Sequence, residues 1–455
     1  MLTDDFVIWE GTILLATIGF VSTAILLILL LTKKGHPAII FILIPIIAGI
    51  ISGVLAGNGA GIIASDLVTW LVDGTKVMAP NAVMFIFSIE FFGIMMDAGA
   101  FDPIVNRILR FVKNDPIRVT VGTALLGMVC HLDGSGATTF LIAIPPLLPI
   151  YDKLGMRRTT LATIVGLAAG TMNIVPWGGP TLRAATALEI DVTYLYNPLI
   201  IPQLVGLLFV IFIAFMLGKR EKSRLGSTLI GVSVSVAAQT LSPEEQALRR
   251  PKLVIPNLIL ILVSVVVLLE GTVQPFIVFM IAFAIALIMN YRSVEEQTAR
   301  INAHAVDAMM MAVFMFAAGL FTGVLQNAGM LTAMAEALVS VIPSSMGRFF
   351  PVLMGVFSMP MSLVFDTSSF YQGVLPVLGY TAEALGVDAV NVARAAVLGQ
   401  MTTGFPTSPL TASTFLLVGL SGVSLGDHQR KMIPLAFATT ILMLVVSIAL
   451  GAIVI

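Results

Sequence analysis

Apolar runs of membrane-spanning length recur along this chain, and they leave it few folds to choose from. They fall at about 12–32, 36–57, 81–98, 158–188 and 196–218, then at about 253–269, 273–290, 306–329, 388–419 and 431–455. A run of about 18 or more apolar residues can cross the ~30 Å hydrocarbon core of a bilayer as a helix. In lipid every backbone N–H and C=O must be bonded internally, so ten such runs predict an all-α polytopic membrane protein. Composition agrees: hydrophobic residues make up 58% of the chain and charged residues 11%, where soluble domains carry about a quarter charged. The single cysteine, Cys130, excludes a disulfide framework and a cysteine-ligated metal site. The acidic start Met1-Leu2-Thr3-Asp4-Asp5 lacks the basic region of a secretory signal.

Two further apolar segments, 117–152 and 347–385, are each split by a polar tip. In the first, Cys130-His131-Leu132-Asp133-Gly134-Ser135-Gly136-Ala137-Thr138-Thr139 separates two apolar arms. Each arm has roughly 15 residues, about 23 Å of helix, which is short for a crossing. Both segments therefore read as re-entrant hairpins. A charged, glycine-broken tip at membrane depth must be buried in protein or line a cavity.

Basic residues set the expected orientation. With Lys33 and Lys34 placed in the cytoplasm, 20 of the 24 Lys and Arg residues fall on that side; Lys76, Arg183, Arg348 and Arg394 are the others. This predicts ten crossings of the plasma membrane with both termini outside. The first hairpin enters from the cytoplasm and the second from outside.

The chain also repeats itself. Phe92-Gly93-Ile94-Met95-Met96-Asp97-Ala98-Gly99 matches Thr322-Gly323-Val324-Leu325-Gln326-Asn327-Ala328-Gly329. Leu132-Asp133-Gly134-Ser135 matches Phe365-Asp366-Thr367-Ser368, and Gly170-Thr171-Met172-Asn173 matches Gly399-Gln400-Met401-Thr402. Residues 1–218 and 253–455 are thus two repeats of five transmembrane helices, joined by a cytoplasmic loop at 219–252. Five is odd, so the second copy is inverted. Inverted repeats with broken helices meeting at the midplane mark secondary transporters.

The breaks carry the chemistry. Pro176-Trp177-Gly178-Gly179-Pro180 interrupts the broken helix at 158–188, and Gly404-Phe405-Pro406-Thr407-Ser408-Pro409 interrupts the one at 388–419. Proline removes a backbone donor and glycine lets the chain bend. With the hairpin tips, this yields four half-helix N-termini aimed inward, each suited to a carboxylate. Freed carbonyls, hydroxyls and the two aspartates suit a cation. The expected activity is co-transport of an organic anion with a cation.

The same runs resemble the citrate–divalent metal:proton symporter (CitMHS) family of the ion-transporter superfamily. The resemblance is carried by Leu132–Thr139, Met172–Ala185, Phe370–Pro376 and Val418–Gln429. It implies proton-driven uptake of citrate, usually complexed with Mg2+ or Ca2+, by a homodimer working as an elevator. A proton- or sodium-coupled carrier for another di- or tricarboxylate without metal is the alternative. Ser135 stands where the family often carries a second acid, and the second tip and break also depart from its pattern.

Taken together, the expected substrate-binding residues are Ser135, Gly136, Thr138, Thr139, Asn173, Gly178, Gly179, Thr181, Arg183, Ser368, Ser369, Thr402, Thr407 and Ser408. Asp133 and Asp366 are expected to handle the proton or cation. Other readings stand beside these. Either aspartate could simply cap the helix that follows it, and Arg183 could snorkel toward the interface. Trp177 reads as packing that shapes the break, His131 as a bonded tip residue, and Glu90 as a buried acid with a paired structural role. Ser242-Pro243-Glu244-Glu245 reads as a capping box in the loop. No resident cofactor and no nucleic-acid partner are expected. An enzyme using the two aspartates lacks the glycine that should follow Asp366-Thr367, and a channel would need a continuous pore.

Overall fold

The computed structural model describes residues 2–32, 34–112, 115–226, 242–342 and 344–454. Lys33, Lys113 and the middle of the loop expected at 219–252 lie outside them. The described residues form helices and no strand, as the apolar runs require. Among the described residues, seven helices are long and apolar enough to cross a membrane, by length and composition. The other three expected crossings are Pro275–Asn290, at 16 residues, and two helices broken near their middles, Arg158–Met172 with Gly179–Ala187 and Ala389–Val397 with Ala412–Ser421.

Two of the expected spans are much longer than their apolar cores. The third run, expected at 81–98, belongs to the 38-residue helix Ala60–Asp97, and the run expected at 306–329 belongs to the 34-residue helix Val294–Asn327. Hydropathy missed their first turns, because Asp66, Asp73 and Lys76, or Glu295, Glu296 and Arg300, interrupt the apolar pattern without breaking the helix. At 1.5 Å per residue both exceed 50 Å, well beyond the hydrocarbon thickness. Two short helices, Asp102–Phe111 and Met330–Val339, follow them and were not expected as elements. The element order long helix, short helix, split segment, broken helix therefore occurs twice.

The split segments are hairpins. Arms Pro116–Cys130 and Gly136–Lys153 lie side by side, with Thr123 Oγ1 3.0 Å from Tyr151 Oη. Their outer ends both meet the end of the helix Ile200–Leu225: Lys222 pairs with Asp115 at 3.1 Å, and Arg224 donates to the Gly155 carbonyl at 2.6 Å. The second hairpin runs through Phe350–Met361, a π-helical turn Ser369–Val374 and Leu375–Ala384. Its outer ends also meet, because a Cβ on Gly347 would lie 3.1 Å from the Leu385 Cβ. The first broken helix starts beside the foot of hairpin one, where Arg158 pairs with Asp152 at 2.7 Å. It ends against the far arm of hairpin two, where Leu188 fills the space beside Gly379. The hairpin feet thus lie at opposite ends of that helix.

Hairpins and broken helices pack together into one core. Every residue from Thr160 to Met172 is buried, so this helix is apolar all round and reads as a continuous run. The two long helices cross each other at Gly74, Gly319 and Gly323, and Phe85, Phe91, Phe92 and Met315 join them to that core. A Cβ on Gly74 would sit 2.1 Å from the Gly319 carbonyl oxygen, and one on Gly323 would sit 2.8 Å from the Gly74 Cα. Small residues at such crossings let backbones approach, which is how helices associate where lipid offers no hydrophobic drive.

Gly74→Val should therefore cost about 1–3 kcal/mol or more, since backbone atoms cannot yield. Gly61→Ala, on the same helix with nothing within 4 Å of the new carbon, should be neutral or stabilise by up to about 1 kcal/mol. The midpoint of thermal unfolding of the detergent-solubilised protein reads both; equal midpoints would contradict the close crossing.

Candidate functional site

The two breaks and two tips converge on one cavity. At the first break the chain turns at Asn173 and restarts as a helix at Gly179, with Pro180 in its first turn. Gly178 cannot carry a side chain, because its Cβ would lie 2.5 Å from the Asn173 carbonyl oxygen and 2.9 Å from that of Val175. At the second break Met401 has a positive φ of 50°, a 3-10 turn spans Phe405–Thr407, and the helix resumes at Ala412. A non-glycine residue in that region is strained. Here the strain is offset by Ser362, whose Oγ accepts from the Met401 N–H at 2.8 Å.

The carbonyls freed by the breaks are bonded by side chains, which is how irregular backbone survives at membrane depth. Asn173 Nδ2 donates to the Met401 carbonyl at 2.8 Å, tying one break to the other. Gln203 serves Thr171 at 3.1 Å and Tyr371 serves Gln400 at 2.7 Å. His428 Nε2 lies 2.8 Å from the Pro406 carbonyl, and Gln429 donates to that of Thr407 at 2.8 Å. Trp177 donates to the Leu132 carbonyl at 2.7 Å and stacks on Phe92, so it locks break to tip. That is the packing role its sequence position suggested.

The cavity has a volume of about 720 Å³. The first tip lines it with Asp133, Ser135, Gly136 and Thr138, and the first break with Asn173, Gly179 and Arg183. The second tip contributes Thr367, and the second break Met401, Phe405, Thr411 and Ser413. Helices beginning at Gly136, Gly179 and Ala412 all start at or beside its wall. Their first N–H groups have no partner within the helix and present partial positive charge.

Arg183 is the fixed positive charge that the first broken helix brings to the cavity. It is 5% exposed, and its Nη2 lies 3.1 Å from Met311 Sδ and its Nη1 3.3 Å from the Gly179 carbonyl. Its Nε has no partner, and its guanidinium sits 5.9 Å from the Phe85 ring. No carboxylate bonds it. It does not snorkel; it is held inward.

Other expected site residues lie behind the wall. Thr139 is buried with Oγ1 2.7 Å from His131 Nδ1, and Thr181 donates to the Ile174 carbonyl at 2.8 Å. Gly178 forms the turn itself. Asp366 accepts from both the N–H and Oγ of Ser369, at 2.9 and 2.8 Å, as a helix cap does, with Ser368 beside it. Thr407 and Ser408 are buried and bond within their own turn, while Thr402 is buried with its Oγ1 unpartnered. Asp133 also makes a local bond, accepting from the Ser135 N–H at 2.8 Å, but it faces the cavity.

Sequence reasoning overlooked the cavity mouth. There Asp97, Asp102, His304 and Asp307 are joined by Glu245 and Arg249 from the loop. The capping box at Ser242 does form, and its short helix Pro243–Leu248 leads to Arg249. Arg249 donates to the Met96 and Asp97 carbonyls, both at 2.9 Å, and pairs with Asp102 at 2.9 Å. Cations at helix C-termini are favoured, yet no local pattern links residue 249 to residue 97.

A family model described as citrate transporter (CitMHS) matches residues 6–399. The chain belongs to this citrate transporter family. Among relatives from Bacillus subtilis (strain 168), one named citrate transporter is 42% identical over 97% of this chain and 100% of its own length. Another, named Mg(2+)/citrate complex secondary transporter, is 40% identical over 97% and 99%. Among solved structures, the YdaH transporter of Alcanivorax borkumensis is similar at a TM-score of 0.59 and 16% identity, covering 85% of this chain and 87% of that one. MtrF of Neisseria gonorrhoeae follows at 0.57 and 13%, covering 91% and 94%. At those identities the likeness is one of fold. This family member is a multi-pass membrane transporter and not an enzyme, as the hydropathy and breaks led one to expect.

In this citrate transporter family member, Thr139→Val strips His131 Nδ1 of its partner beside an already unpartnered Nε2. Leaving a buried polar group unsatisfied costs about 1–3 kcal/mol, so the melting temperature should fall, while Thr139→Ser should keep it. Equal melting of the three proteins would show that this bond does not hold the tip.

Proposed function

We propose that the protein is a cation-coupled importer of citrate, taken up as its complex with a divalent metal such as Mg2+ or Ca2+, with protons as the coupling ion. The observation that carries this reading is Arg183: a buried guanidinium with no carboxylate of its own, facing a cavity where three helices begin. That guanidinium has no bonded carboxylate, and a carboxylate of the cargo supplies one; the acids that line the same cavity, Asp133 and, at the mouth, Asp97, Asp102, Glu245 and Asp307, suit the metal. The names of the two citrate-carrying relatives support the substrate, and the second supports the metal as cargo.

In this reading Arg183 and the N–H groups near Gly136 and Gly179 hold citrate carboxylates, assisted by the Ser135 and Thr138 hydroxyls. Asp133 faces the bound complex and takes the metal's charge or the coupling proton, while Asp366 keeps its side of the site acidic. The cavity mouth is formed by Asp97, Asp102, Glu245 and Arg249, beside segments that the basic residues assign to the cytoplasm with both termini outside. The state is then inward-facing. Two inverted repeats, at 1–218 and 253–455, would let the core of hairpins and broken helices slide as an elevator against the two long helices, in a homodimer.

Radiolabelled uptake into proteoliposomes tests the function, comparing citrate, malate and succinate with and without Mg2+ or Ca2+ under imposed proton or sodium gradients. Metal-dependent citrate uptake driven by protons is expected. Metal-independent uptake of a dicarboxylate would favour the carrier without metal, and no anion uptake under any gradient would refute the reading. Arg183→Gln should raise the KM for citrate by roughly 10- to 100-fold, as loss of charge-assisted bonds of about 1.5–3 kcal/mol implies. Asp133→Asn should abolish coupled uptake in a protein that still elutes as a folded species.

A further inference from the structure

Away from the carboxylate-binding tips, one group of ionisable side chains lies where Ala60–Asp97 faces Val294–Asn327. His304 Nε2 is 2.9 Å from Asp97 Oδ2, and the same oxygen accepts from Arg300 Nη1 at 3.0 Å. The imidazole is seated on Gly93, where a Cβ would come within 2.7 Å of three ring atoms. Residues 90, 93 and 97 share one helix face at spacings of three and four. His304 therefore sits between Asp97, at the cavity mouth, and Glu90, one turn deeper. Glu90 is 4% exposed, its Oε2 has no hydrogen-bond partner, and it interacts electrostatically with His304. The other charges facing the histidine are Arg300 and Asp307 on its own helix, Arg249 and Glu245 on the loop, and Asp133 at the first tip.

Packing alone does not call for these side chains. The repeat that matches Phe92 with Thr322 has an offset of 230 residues, and under it Gly93 corresponds to Gly323 and His304 to Gly74. Gly323 and Gly74 touch each other, just as Gly93 and His304 do. One end of the crossing is thus closed by glycine on glycine, and its counterpart by glycine on histidine. Under the same offset Glu90 corresponds to Leu320 and Asp97 to Asn327. The equivalent contact is made with no ionisable group. Carboxyl and imidazole chains inside membrane helices mark proton pathways.

We propose that Glu90, His304 and Asp97 form the path of the coupling proton, with His304 passing it between the buried Glu90 carboxyl and the open mouth. The inference rests on the reading of proton-coupled uptake. The bond to Asp97 makes Nε2 the donor and leaves Nδ1 as acceptor. The Glu90 O–H bond breaks as an N–H bond forms at Nδ1, and the Nε2 proton leaves to Asp97 or mouth water. Glu90 is left as a carboxylate, the imidazole is neutral in its other tautomer, and one proton has crossed. For net import Glu90 is reloaded from the extracytoplasmic side, since return through His304 would undo the transfer.

Proteoliposomes with radiolabelled citrate and Mg2+ provide the test, measured in two modes. Net uptake driven by an imposed proton gradient requires release of the proton; citrate–citrate counterflow at equal pH does not. His304→Gln keeps a hydrogen bond for Asp97 but carries no proton. It should lose at least about tenfold of gradient-driven uptake, keep counterflow within about threefold, and flatten the pH dependence of uptake. Wild-type gradient-driven uptake with an unchanged pH profile in His304→Gln would overturn the proposal. If that variant loses both modes, Glu90→Gln decides: the same split supports the path, and loss of both modes there too assigns a packing role and overturns it. A wild-type protein whose uptake ignores the proton gradient would remove proton coupling itself, which is a different failure.

Discussion

Inside a bilayer an unbonded peptide group costs several kcal/mol, and this structure is built around meeting that demand where its helices are deliberately broken. Each break is repaired by side chains from elsewhere in the core. Asn173 bonds Met401, Gln203 bonds Thr171, Tyr371 bonds Gln400, and Trp177 bonds Leu132. These bonds cross between breaks, tips and neighbouring helices. The core is rigid for the same reason that it can be irregular, and the half-helix ends it holds in place present partial positive charge beside Arg183.

Two kinds of polar residue therefore occupy the membrane depth of this protein. Thr139, Thr181, Thr407 and Ser369 are consumed by structure: each bonds a neighbouring backbone or side-chain group and none lines the cavity. Arg183, Ser135, Thr138 and Asp133 face the cavity. Of these, Arg183 is the one with a buried nitrogen left unbonded. Facing the cavity, and not the lack of a local partner, separates recognition from scaffolding: Ser135 and Thr138 bond each other at the wall, while Thr402 is unpartnered behind it.

The two long helices play a different part. Their glycine-mediated crossing brings them closer than lipid-facing packing alone would, and the extra length of Val294–Asn327 ahead of its apolar core carries Arg300 and His304 to Asp97 at the mouth of the cavity. The loop from Ser242 to Arg250 is drawn in at the same place, with Arg249 bonded to the carbonyls that end one of those helices. A segment that composition marks as a plain polar connector thus lines the path between the site and solvent.

Much of this was legible in the chain itself. Apolar runs determine membrane helices because lipid leaves no other way to bond a backbone, and proline–glycine clusters determine the breaks because they remove donors and allow sharp turns. The helices stop at those clusters: one ends at Met172 and the next begins at Gly179, and another ends at Val397 with its successor beginning at Ala412. What the sequence alone left undecided was which hydroxyls face the cavity and which lie behind its wall. Thr138 and Thr139 are adjacent, chemically identical, and on opposite sides of that division. The pairing of His304 with Asp97, 207 positions apart in the chain, was equally out of reach. Local patterns reflect local bonding, while a site is assembled from residues that only packing brings together.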